Sequence, residues 1–264
     1  MIKLIIFVGR KIRAFLRYFI ELSYNGKNYH GWQIQPNEIS IQETIEKAMS
    51  LLLKEKISVV GCGRTDTGVH ASQFYLHFDS HDLIDKEKLK FKLNSFLPED
   101  IAIFQVYSVK DEAHARFLAS SRSYQYKISL EKNVFQKDLS LEITHSPLDV
   151  DMMNKAAAVL LNYTDFKCFS RSKTDVKTYE CDVTEAYWEI QGNQLIFNIS
   201  ANRFLRNMVR AIVGTLLEVG KGRMSLKEFE SVLKSQDRKQ AGASVKAKGL
   251  FLTAVIYPKH IFIK

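Results

Sequence analysis

One stretch of this chain, GCGRTDTGVH at residues 61–70, has residue types and spacing suited to covalent chemistry. It offers a single carboxylate, Asp66, two residues after Arg64, flanked by Thr65 and Thr67 and ringed by glycines at 61, 63 and 68. Glycine lets the backbone adopt positive φ and approach a ligand, and a neighbouring guanidinium keeps a carboxylate charged and oriented, as a nucleophile or base requires. The spacing fits neither G-x-G-x-x-G nor G-x-x-x-x-G-K-[ST], which excludes the dinucleotide fingerprint and the phosphate loop. Spacing alone favours a plainer reading of Asp66, an aspartate capping its own turn.

Two further clusters carry potential chemistry. In HARFLASSRSYQYKI, residues 114–128, Arg122, Tyr124 and Tyr126 fall at i, i+2 and i+4 of a strand and share one face, a platform on which a base can stack while phosphate is held. The competing reading is two half-buried strand tyrosines. In ANRFLRNMVRAIVGTLLEVG, residues 201–220, Arg203, Arg206 and Arg210 form one stripe of an expected helix over 203–219, opposite an apolar side of Phe204, Met208, Ile212, Leu216 and Leu217. No acidic partner stands on that stripe, so its charge is available to phosphate or carboxylate unless it is only a solvated face.

The elements that must position these residues follow from hydrophobic periodicity. Strands are expected at 18–24, 57–61, 71–78 and 101–109, with a helix through TIEKAMSLLLKEK behind an S-x-x-E box at Ser40 and Glu43, and another at 86–96. The second half repeats the plan, with strands at 122–130, 183–190, 195–200 and 251–257 and helices at 152–161, 203–219 and 225–234, the last opening on Ser225 and Glu228. The expected fold class is therefore α+β, with two similarly built domains, 17–112 and 113–264. Each would be a mainly antiparallel sheet of about four strands flanked by helices, with the active-site cleft between them. Residues 1–16, MIKLIIFVGRKIRAFL, read as a non-core extension whose apolar run is too short to span a membrane.

Composition narrows the class. A chain of 264 residues, 46% hydrophobic, can bury a sizeable core, and 38 Lys+Arg against 29 Asp+Glu, net +9, suits a polyanionic partner such as nucleic acid. Cys62, Cys168 and Cys181 form no C-x-x-C pair, so reduced buried thiols are expected rather than a disulfide framework or a zinc ribbon. His77 and His81 straddle a strand end and make a poor metal pair.

Taken together and in order, YFIELSYNGKNYHGWQIQPN, SIQETIEKA, GCGRTDTGVHASQ, LPEDIAI, HARFLASSRSYQYKI, FLRNMVRAIVGTLLEVGKG and GLFLTAVIYP resemble the TruA-type tRNA pseudouridine synthases from about residue 18 to 257. The resemblance implies that Asp66 is the catalytic aspartate, that Arg64 orients it and supports the displaced base, that Tyr124 stacks on the target uracil and assists proton removal, and that Arg210 pairs with the carboxylate. The platform and the arginine stripe add expected substrate contacts from Arg122, Arg203 and Arg206. The resemblance further implies a cytoplasmic homodimer acting on uridines 38–40 of the tRNA anticodon stem–loop, with no metal or other cofactor and no membrane. The family's usual GRTDAGVHA carries alanine where this chain has Thr67, which sets a hydroxyl beside Asp66. Two rival readings are an RNA-binding protein without catalysis and a peripheral membrane protein held by residues 1–16. Arg64, Asp66 and Tyr124 together speak against the first, since a carboxylate in a polyanion-binding cleft repels phosphate.

Overall fold

A computed structural model describes residues 15–171 and 177–263. Most of the extension expected at 1–16 lies outside the described residues. Leu16 already belongs to the first strand, pairing with Ser80.

In chain order the elements are β1 Leu16–Tyr24, α1 Ile41–Leu53, β2 Val60–Gly61, β3 His70–Ser80, α2 Lys86–Phe96, β4 Ile101–Val109, β5 Ser121–Ser129, β6 Leu141–Glu142, α3 Val150–Val159, β7 Val183–Gln191, β8 Gln194–Ala201, α4 Met208–Gly220, α5 Leu226–Ser235 and β9 Leu250–Ile256. The fold is mixed α+β. Its strands form one sheet in the order β4-β1-β3-β9-β5-β8-β7, with β2 added to β3 and β6 to β5. Pairing is antiparallel except for β3 with β9 and β5 with β6. The two four-strand groups expected from the sequence thus join edge to edge, and β9, the last strand, is the seam.

Strand alternation explains where the helices sit. Tyr18, Ile20, Leu22 and Tyr24 of β1 and Phe74, Leu76 and Phe78 of β3 are buried in one cluster with Ile41, Ile45 and Met49 of α1 and Leu89 and Leu93 of α2. Tyr126 and Ile128 of β5 and Leu195, Phe197 and Ile199 of β8 are buried in a second with Met153 of α3, Ile212 and Leu216 of α4 and Phe229 of α5. Each such side chain contributes about 1.5–3 kcal/mol. Helix starts are fixed by side chains accepting from orphan backbone N–H groups: Ser40 from Glu43, Asp85 from Lys88, Asp149 from Met152 and Ser225 from Glu228. Only around Ser225 is the reciprocal Glu bond also made among these four; Glu43 turns to Lys47 instead.

Two expectations are corrected. The strand expected at 57–61 shortens to Val60–Gly61, because the backbone N–H groups of Ile57 and Val59 bond to Ser50 Oγ and Glu46 Oε1 of α1 instead of to a strand. The helix expected from 203 begins at Met208: Asn207 stands in the left-handed region at φ 65° with its amide donating to Ser244 Oγ at 2.6 Å. Arg203 and Arg206 therefore belong to the segment leading into α4, and the arginine stripe does not exist as one helical face.

Candidate active site

The loop bearing Asp66 joins β2 to β3 and is cradled by residues 25–32. Trp32 N–H donates to Thr65 O at 3.2 Å, Gly68 N–H to Tyr29 O at 3.3 Å, and Tyr24 and Thr65 share a buried hydroxyl hydrogen bond of 2.9 Å. His70 closes the loop: its Nδ1 accepts from Gly26 N–H at 3.1 Å while Nε2 faces Lys248 O at 3.2 Å, so the neutral ring with Nε2 protonated satisfies both. Gly31, at φ +85°, is required twice over, since a Cβ there would lie 2.3 Å from Thr65 O. The supporting role of 25–32 is not visible in that segment's own composition, because it lies in contacts across some forty residues.

Asp66, about a quarter exposed, lies between two guanidinium groups. Arg206 Nε is 3.6 Å from Oδ1 and Arg210 Nη1 is 3.8 Å from Oδ2. Both separations exceed a hydrogen bond, so these are ion pairs able to tighten when a substrate arrives. Arg210, in the first turn of α4, is itself aimed by its Nε–H, which donates to Val245 O at 2.7 Å; Val245 N–H returns a bond to Arg210 O at 3.1 Å. That crossing strand of chain packs against α4 at Gly214, where a Cβ would lie 1.8 Å from Ala243 O.

Tyr124, half-buried on β5, meets Phe204 edge-to-face at 5.1 Å between ring centroids. Burial raises the pKa of its hydroxyl, and the carboxylate of Asp66 pushes the same way while Arg122 opposes it. It therefore presents a ring and an O–H donor at neutral pH, not a phenolate. Tyr126 is structural: its hydroxyl donates to Lys246 O at 2.8 Å. Burial pushes the Cys62 thiol up to about 12, which makes it an unreactive neighbour.

The remaining arginines separate by role. Arg64 is exposed and Arg203 half-buried. Arg116 was missed by sequence reasoning although HARF was among the motifs. Burial first, and then the charges of Arg64, Arg122 and Arg203, hold its pKa below the usual arginine value. The guanidinium of Arg116 also lies 5.5 Å from the centre of the exposed Phe117 ring. Arg122 is half-buried and donates to backbone carbonyls.

A family model described as tRNA pseudouridine synthase matches residues 22–117 and 156–258. The chain is 49% identical over 247 residues to tRNA pseudouridine synthase A of Parabacteroides distasonis, covering 93% of this chain and 98% of the relative. The protein of that name from Bacillus licheniformis is 39% identical over 240 residues, covering 89% and 97%. The chain belongs to the tRNA pseudouridine synthase family. In this family member the ion pairs join the two matched segments, Asp66 lying in the first and Arg206 and Arg210 in the second.

His77 and His81 go separate ways in this synthase-family chain. His77 Nδ1 accepts from Ala115 N–H at 3.1 Å and the ring of His81 packs on Phe15. Among the described residues no three His, Cys, Asp or Glu side chains gather as a metal site requires. Among them also, no helix is long and apolar enough to cross a membrane.

Proposed function

We propose that this protein isomerises uridine to pseudouridine in the anticodon stem–loop of tRNA, at positions 38, 39 and 40, with Asp66 as the catalytic carboxylate. The observation that carries this reading is one carboxylate with a guanidinium on each oxygen, beside a protonated tyrosine, in a chain of the tRNA pseudouridine synthase family. The reaction breaks the N1–C1′ bond, turns the uracil and joins C5 to C1′; the C5 proton leaves to solvent and N1 gains one, so no atom is added overall. Hydrolysis of a glycosidic bond generally takes two carboxylates, one to protonate the leaving group and one to deliver attack. Rearrangement without water requires only one. Asp66 has three chemically competent roles here: attack at C1′, removal of a sugar proton, or addition to the uracil ring.

The target base has to leave the stack to reach the carboxylate. The Tyr124 ring then serves as the stacking surface, and Arg64, Arg116 and Arg203 hold phosphates or occupy the space the base vacated. The net charge of +9 supplies sequence-independent attraction that weakens as salt rises. The division proposed is into two domains, 17–112 and 113–264, with tRNA in the cleft between them, although Leu252, Val255, Tyr257 and Ile261 of the second pack into the first buried cluster; the enzyme works as a cytoplasmic homodimer.

The test is tritium release from tRNA carrying uracil labelled at C5, with the modified site mapped, for the native chain and for Asp66→Ala. Release by the native chain alone, mapped to the anticodon stem–loop, is expected. Silence from both with tRNA still bound would leave a binding protein.

A further inference from the structure

Resting on the synthase reading above, we infer that Arg122 is a positioning residue that sets the three site-bearing segments against one another, and that it does not bind substrate phosphate. Its Nη1 donates to Ala119 O at 3.2 Å and to Asn202 O at 2.8 Å; its Nη2 donates to Cys62 O at 3.0 Å and to Arg116 O at 2.5 Å. All four terminal N–H groups of the fork are thereby used, leaving Nε–H as the only other donor a guanidinium has.

The four acceptors are spread over the parts of the chain that carry the site. Cys62 lies four residues before Asp66 in its loop, Arg116 and Ala119 belong to the turn ahead of β5, and Asn202 leads directly into Arg203 and Arg206. These contacts span 60 and 80 residues of sequence to Cys62 and Asn202. Arg122 itself is held from both sides, its backbone paired with Ala201 of β8 and Val255 of β9. The side chain therefore projects from the centre of the sheet and measures the gap between the Asp66 loop and the segment bearing its ion-pair partner Arg206.

Each segment also has anchors of its own. Cys62 N–H donates to Tyr75 O at 2.7 Å, Tyr257 Oη to Ala115 O at 2.5 Å and Asn202 N–H to Asp182 O at 3.1 Å. Loss of Arg122 therefore leaves the segments folded and loosens their mutual placement. Lysine keeps the charge but gathers its three donors on one nitrogen, so it cannot span four carbonyls.

The experiment compares the native chain with Arg122→Lys and Arg122→Met, reading kcat and KM for tritium release, the salt dependence of tRNA binding, and thermal unfolding. A misplacement of about 1 Å can cost on the order of 10²-fold in rate. The expected result is a 10–100-fold loss of kcat in both variants, with KM and the salt slope of binding unchanged. A phosphate-binding Arg122 would instead weaken binding, lower the salt slope by about one unit and be largely rescued by lysine. A role confined to stability would lower the unfolding temperature and leave kcat intact well below it. Either of those results overturns the inference. Absence of release by the native chain overturns the synthase reading itself, whereas native release with an undiminished Arg122→Lys overturns only the assignment of Arg122.

Discussion

The two arginines on Asp66 allow a prediction of rank. Arg210 Nη1 and Arg206 Nε stand at nearly equal distances from the carboxylate, 3.8 and 3.6 Å, so bare Coulomb attraction would make them equals at about 4 kcal/mol each with an effective dielectric of 20. Exposure separates them. The Arg206 side chain is 55% exposed and behaves as a surface pair, contributing at most about 1 kcal/mol. Arg210 is 22% exposed and anchored on Val245 O, so about half of the Coulomb value, roughly 2 kcal/mol, survives screening. If the pair is engaged in the transition state, Arg210→Met lowers kcat about thirtyfold and Arg206→Met at most about fivefold. Arg210→Met also leaves the Val245 carbonyl without its donor, a loss of about 1 kcal/mol and ~2–4 °C in Tm. Single-turnover tritium release at saturating tRNA, with unfolding followed by circular dichroism, reads both effects. Equal losses of kcat, a larger loss for Arg206, or losses confined to KM would refute the argument that burial sets each arginine's contribution.

Two more outcomes follow from the loop and its surroundings. Gly31→Ala combines a left-handed φ with a Cβ 2.3 Å from the Thr65 carbonyl, whereas Gly68→Ala, at φ +76°, meets nothing nearer than Ala247 Cβ at 3.5 Å. Gly68→Ala should thus cost about 1–2 kcal/mol with kcat near native, and Gly31→Ala should cost more and lower kcat as Asp66 is displaced, as denaturant titration and activity will show. Burial first, and then the charge of Arg17, lower the pKa of His77 to about 4, and its Nδ1 accepts from Ala115 N–H. The unfolded chain takes up this proton near pH 6.5 and the folded chain refuses it, so stability is full above about 6.5 and is lost as pH falls towards about 4. After allowance for solvent screening the loss is about 1–2 kcal/mol, and His77→Gln should flatten that part of the urea midpoint against pH.

What the sequence made legible was local. The strands, the helices and the caps at Ser40 and Ser225 depend on neighbours within a few residues, and hydrophobic periodicity records them. The start of α4 was misread because Arg203–Asn207 has ordinary helix-forming composition. Tertiary bonds, among them Arg171 N–H to Arg206 O and the Asn207 amide to Ser244, hold it out of the helix. The same contacts bring Arg206 to Asp66 by a route the expected stripe did not contain. Arg122 stands on the expected strand, and its bonds run to backbone carbonyls. A guanidinium that binds carbonyls and one that binds phosphate have the same signature in sequence, and only the positions of the acceptors separate them.

The seam at β9 has a consequence in time. Residues 250–256 pair with His70 and Ala71 of β3 on one side and with β5 on the other. A ribosome makes them about 170 residues after β3 is finished, roughly ten to thirty seconds later at 5–20 residues per second. From the completion of β5 until then the nascent chain carries two unjoined sheet edges, the form most prone to pairing with another chain. A transcript cut short before the codon for Leu250 would yield nearly every residue placed at the site, Asp66, Tyr124 and Arg210 among them, and no strand to bring the halves into register. Such a fragment should be found in aggregates or bound to chaperones rather than as a weak enzyme.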